Sequence, residues 1–187
     1  MIELLIVIAV LGVLAVAVLA TINPIEQINR GRDTSSRSDT EQLLSAIDRY
    51  NANKGLWPWQ DIAEDLPDLI WQPIDSSGPV SKTEGCTLME QLSTTTRAEC
   101  TGTEEIRQSF VERVTSPKVN VLNIYKGPNS GDSVYICFNP QSKSFQKGAD
   151  ERCDGGTLPT DFPTANACGS CPDSLGKNPT GNCSCLP

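Results

Sequence analysis

A chain of 187 residues with a net charge of −8, eight cysteines and no histidine has room for one domain plus a membrane segment. The missing histidine excludes Ser-His-Asp and Cys-His catalysis and every imidazole metal site. Residues 1–24 carry only Glu3, residues 25–54 balance five basic against five acidic groups, and the rest holds 10 basic and 17 acidic residues, an excess that argues against nucleic-acid binding by a broad basic surface.

Residues 1–20 form an apolar run whose single charge is Glu3. Residues 1–22 span about 33 Å as a helix, enough for a hydrocarbon core of about 30 Å. Val18-Leu19-Ala20 has the form of a signal-cleavage site, but an acid stands where a basic n-region belongs, so the helix is expected to be retained. Asn23-Pro24 then predicts a kink or break, because proline lacks the helical donor and clashes with the preceding turn. Ile25, Ile28, Leu43, Leu44, Ile47 and Tyr50 predict that a helix resumes with one apolar face. Residues 29–42 hold no large apolar side chain, so that stretch is expected either to be supported by neighbours or to be loosened.

Three stretches stand out in about the first sixty residues: Ile2-Glu3-Leu4-Leu5-Ile6-Val7-Ile8-Ala9-Val10-Leu11-Gly12; Asn23-Pro24-Ile25-Glu26-Gln27-Ile28 with Arg32-Asp33, Arg37, Asp39 and Ala46-Ile47-Asp48-Arg49-Tyr50; and Asn53-Lys54-Gly55-Leu56-Trp57-Pro58. Together they resemble type IV pilins and pseudopilins. Members of that family have a basic leader ending in Gly, and an aromatic or Met with two more residues precedes their Ile-Glu. Here Met1 alone precedes Ile2-Glu3, so the prepilin-peptidase processing and N-methylation that the resemblance implies are assigned to no residue.

An acid in the first turn of a helix can simply complement the dipole and snorkel to the membrane surface, a contribution of at most about 1 kcal/mol. The resemblance implies instead that Glu3 pairs with the N-terminal amine of a neighbouring subunit, which would offset its burial and penalise other registers. Small Gly12 and Ala15 suit close helix packing. Glu3, Gly12 and Pro24 are therefore the candidate assembly residues.

Trp57, Trp59 and Trp71 stand beside prolines, where packing of a loop onto a helix is expected ahead of sugar stacking. Leu88, Met89 and Leu92 predict one short helix; Ile106, Phe110, Val111 and Val114 predict a second, with Thr103 as its cap. Residues 119–125 and 133–138 read as strands joined by a turn-forming string, and a third strand is expected near residues 143–147, completing an antiparallel meander over Leu43, Ile47 and Tyr50. The eight cysteines favour disulfides in an exported chain. Spacing predicts Cys86–Cys100 and Cys137–Cys153, with Cys183 and Cys185 bonding Cys168 and Cys171 rather than each other. A zinc site on the last four is the lesser alternative, lacking a two-residue gap in Cys183-Ser184-Cys185.

The expectation is an α+β protein. Residues 1–24 are a hydrophobic transmembrane or filament-core helix, residues 25–54 its amphipathic continuation, and residues 55–187 a disulfide-stapled head on a small antiparallel sheet. No catalytic constellation, cofactor or metal is expected. The resemblance implies a filament of identical subunits, held in the inner membrane before assembly, extracellular afterwards, and served by separate assembly proteins. A pseudopilin of a secretion or DNA-uptake machine is the near alternative, and a signal-anchored ligand-binding protein is the alternative of another class.

Overall fold

The computed structural model describes residues 2–21, 23–60, 69–75, 78, 85–94, 100, 102–116, 120–172 and 181–187. Two helices open the chain: α1, Ile2–Thr21, and α2, Pro24–Lys54. The expected break lies between them. Asn23 is extended, its side chain accepts from the Glu26 amide at 3.3 Å, and Pro24 takes the first helical turn, where its missing donor costs nothing. α2 stops at Gly55, whose φ of 70° is the left-handed conformation of a helix-ending glycine; its N–H donates to the Asn51 carbonyl at 2.8 Å.

The sheet has four antiparallel strands in chain order: β1, Leu69–Pro73; β2, Asn123–Lys126; β3, Val134–Phe138; β4, Ser184–Leu186. The two strands read from the sequence are β2 and β3, though β2 begins at Asn123, and Val119 lies outside the described residues. The third strand expected near residues 143–147 is instead helix; the neighbours of β2 and β3 come from the tryptophan segment at Leu69–Pro73 and from the C-terminus.

β3 is buried along its whole length because its two faces serve two cores. Val134, Ile136 and Phe138 join Leu43, Ala46, Ile47 and Tyr50 of α2 in the main core, while Tyr135 and Cys137 face Phe162, Ala167, Cys171, Cys183 and Cys185. The predicted packing of Leu43, Ile47 and Tyr50 is thus present, with Ala46 fully buried and Leu44 only partly so.

Among the described residues the head has four short helices: α3, Leu88–Leu92; α4, Gln108–Val114; α5, Lys143–Gly155; and α6, Thr164–Ala167. α3 starts in a capping box: the Thr87 hydroxyl accepts from the Glu90 amide at 3.2 Å and the Thr87 amide donates to Glu90 Oε2 at 2.7 Å. Thr103 does not cap α4, whose cap is Arg107 with no side-chain bond; the Thr103 amide and hydroxyl both donate to the Gln91 carbonyl, tying Thr103 to α3. A side chain at Gly102 would collide with the Ser93 carbonyl. At the β2–β3 turn, fully buried Lys126 donates to the carbonyls of Asn129 (3.0 Å) and Asp132 (2.6 Å) and lies 5.3 Å from the Trp57 ring centre. Burial lowers its pKa, against the opposing pull of Asp132 and Asp161. Trp57 stacks on buried Trp59 at 5.5 Å, so the pair packs against the core, as expected of indoles beside prolines.

All eight cysteines are paired. Cys86–Cys100 is as expected, and Cys183 takes one of its two expected partners, Cys171; but Cys137 bonds Cys185 and Cys153 bonds Cys168. The expected Cys137–Cys153 pair and the partnering of Cys185 with Cys168 or Cys171 are both overturned. Cys185 stands directly across the ladder from Cys137, with a Cα–Cα distance of 4.0 Å, because the C-terminus enters the sheet. With every thiol consumed, the four-thiolate zinc alternative falls as well.

Candidate assembly surface

Every described side chain from Ile2 to Val18 is exposed. The large apolar ones in α1 show 53% to 75% of their surface, among them Leu4, Ile8, Leu11 and Val16. Burial of each such side chain contributes about 1.5–3 kcal/mol, and the apolar residues run all around the helix, so α1 presents apolar surface on every side. Glu3 is exposed in the first turn. A side-chain carbon at Gly12 would meet nothing within 4 Å, so no contact within the chain demands glycine there. Ile25 and Ile28, 68% and 57% exposed, extend the apolar surface onto the start of α2 instead of joining its head-facing side. Among the described residues no helix is long and apolar enough to cross a membrane. The side chains described in α1 end at Val18, and residues 2–18 rise about 26 Å as a helix against a hydrocarbon core of about 30 Å. The membrane-spanning expectation was drawn on residues 1–22, and Met1 and Ile22 lie outside the described residues.

The polar stretch of α2 is held by neighbours. Asp33, fully buried, accepts from the Gln141 amide at 2.9 and 3.1 Å, from the Ser142 amide at 2.7 Å and from the Ser142 hydroxyl at 2.6 Å. One turn back, Asn29 donates to the Gln141 carbonyl at 3.3 Å, and two turns back Glu26 accepts from the Lys143 amide at 2.9 Å. These amides open α5, whose cap residue Ser142 makes no capping bond of its own within α5. α2 therefore caps α5 from outside, satisfying orphan amides and placing two carboxylates at the positive end of its dipole. Further along, buried Asp39 pairs with Arg113 of α4 at 2.7 Å; burial raises the Asp39 pKa and Arg113 opposes the rise. Arg49 pairs with Glu105 at 2.7 Å.

Glu3 and Gly12 thus lie on the exposed helix α1, Pro24 opens α2, and a polar clamp joins α2 to the head. The clamp residues Asp33, Ser142 and Glu26 were not singled out as functional from the sequence. The available signal was the concentration of Asp, Ser and Thr where a packed helix should carry apolar groups. Among the described residues no group of His, Cys, Asp or Glu is placed to hold a metal ion. Compared with protein-family models, curated proteins and solved structures, the chain matches none.

Proposed function

We propose that this chain is a pilin-like structural subunit of an extracellular filament, assembled through α1. The observation that carries the reading is α1 itself: an all-round apolar helix whose described side chains are exposed, with one acid in its first turn, joined through a capped Asn23-Pro24 break to a helix clamped on the head. A helix with that surface is stable in a lipid bilayer or in a bundle of its own copies. The subunit waits in the inner membrane and then passes into a filament whose core is made of α1 helices.

In that core Glu3 is the one polar side chain of its turn, and pairing with the N-terminal amine of a neighbour selects the register. Glu3→Gln removes the charge with little change in shape. It should leave the monomer as stable and as detergent-soluble as the parent while filament yield falls by at least about tenfold, which corresponds to about 1.4 kcal/mol. Electron microscopy of sheared surface material reads the yield and shows whether the parent stacks as a helical array. Normal filament yield from Glu3→Gln would refute the role of Glu3. A parent that stays monomeric on the cell surface would refute the filament and favour a lone anchored binder.

A further inference from the structure

On a chain of net charge −8, three arginines line one groove of about 290 Å³: Arg30 and Arg37 of α2 and Arg152 of α5. Among the described residues no carboxylate lines it, and the hydroxyl residues Ser144 and Ser184 do. Arg30 and Arg37 are seven residues apart, two turns on one face and about 10 Å along the axis. Asp33 shares that stripe but does not line the groove; it is fully buried with its oxygens taken by Gln141 and Ser142.

The guanidinium groups are largely uncommitted. The Arg30 side chain makes no hydrogen bond or ion pair with a described residue. Arg37 touches Glu41 through Nε at 3.2 Å, in a pair more than half exposed on both sides, an arrangement of little net strength. Arg152 donates one Nη1 bond to the Cys185 carbonyl at 2.5 Å, which orients the group and leaves its other donors free. Beneath them lie half-buried Phe145 and buried Ala149, an apolar floor that strengthens charge interactions above it.

We infer that this groove binds a single phosphate group. One guanidinium fork satisfies a planar carboxylate, whereas a tetrahedral oxyanion takes forks and hydroxyls from several directions at once. The net negative charge of the molecule opposes a polyanion, which restricts the ligand to one compact phosphate. That phosphate is either free inorganic phosphate or the diester of a lipid headgroup. The groove is formed by α2, α5 and the C-terminal segment of a single chain and does not depend on whether the chain polymerises.

The test uses the full disulfide-bonded chain as a monomer in an uncharged detergent at low chloride, titrated calorimetrically with inorganic phosphate and, separately, with a short-chain phosphatidylglycerol. Saturable one-site binding of either probe is expected, and the probe that binds names the source. Arg37→Ala and Arg152→Ala should each weaken it by about tenfold or more, and Arg37→Lys should recover only part of the loss, keeping charge without the fork. Should Arg152→Ala fail to fold, Arg30→Ala and Arg37→Ala, on an exposed helix face, carry the same test. Absence of saturable binding with both probes, or affinity unchanged in the arginine variants, overturns the proposal. Neither outcome bears on filament formation, because the measurement is made on monomers.

Discussion

Asp161 accepts from the Ser133 amide at 2.7 Å and from the Tyr135 hydroxyl at 3.0 Å. The Ser133 amide is the chief reason its carboxyl titrates below the ordinary range, with the Tyr135 bond adding to it against some burial. Asp39 is the opposite case, raised by burial despite Arg113. The signs follow from which state binds more protons. A depressed carboxylate contributes stability above its unfolded value of about 3.9, lost as pH falls through the folded value. A raised one is most favourable in acid and loses stability as pH climbs from the unfolded to the folded value. Asp161→Asn should therefore lower stability at neutral pH, by no more than about 1 kcal/mol because the group is near solvent. That deficit should vanish below the carboxylate range. Urea midpoints for parent and variant at neutral pH and at about pH 2 check this; a deficit that persists in acid would assign the effect to lost packing instead of charge.

At the scale of elements, the contrast between α2 and α5 shows what local sequence carries. The upper half of α2 was legible because Leu43, Ile47 and Tyr50 repeat at helical spacing and Gly55 ends the run. α5 was misread as a strand because its start, Lys143-Ser144-Phe145-Gln146-Lys147, is polar apart from Phe145 and its cap comes from residues more than a hundred positions away. A helical signal was present in Phe145, Ala149 and Cys153 at i, i+4 and i+8, with Ala149 buried and Cys153 in a disulfide. The clamp itself was not legible, since no spacing rule links Asp33 to Ser142. Asp33→Ala would leave the Gln141 and Ser142 amides without their acceptor, that of Ser142 in a buried site, at a cost of about 2–3 kcal/mol. The expected result is a melting temperature lower by on the order of 5–10 °C, with faster amide exchange confined to the start of α5 and the facing turn of α2. Unchanged exchange there would show that the disulfides alone hold α5 in place.

For the molecule as a whole, the C-terminal segment is what turns a hairpin on a helix into a two-core head. The Cys137–Cys185 bridge closes 48 residues, against 14 for Cys86–Cys100, and in the chain-entropy account the two are worth about 4 and about 3 kcal/mol. Loops occupy much of the head, so covalent closure supplies what a small core cannot. The longer bridge also joins the central strand β3 to β4 and so holds Cys185, Cys183 and Phe162 over the second face of the sheet. The main core between α2 and the opposite face of β3 contains none of the eight cysteines. The double variant Cys137→Ala with Cys185→Ala should therefore unfold in two steps. Residues 153–187 open first and become sensitive to protease, while α2, β2 and β3 keep their amide protection. Limited proteolysis followed by mass analysis distinguishes this from a single cooperative loss, which would mean that the two faces of β3 stand or fall together.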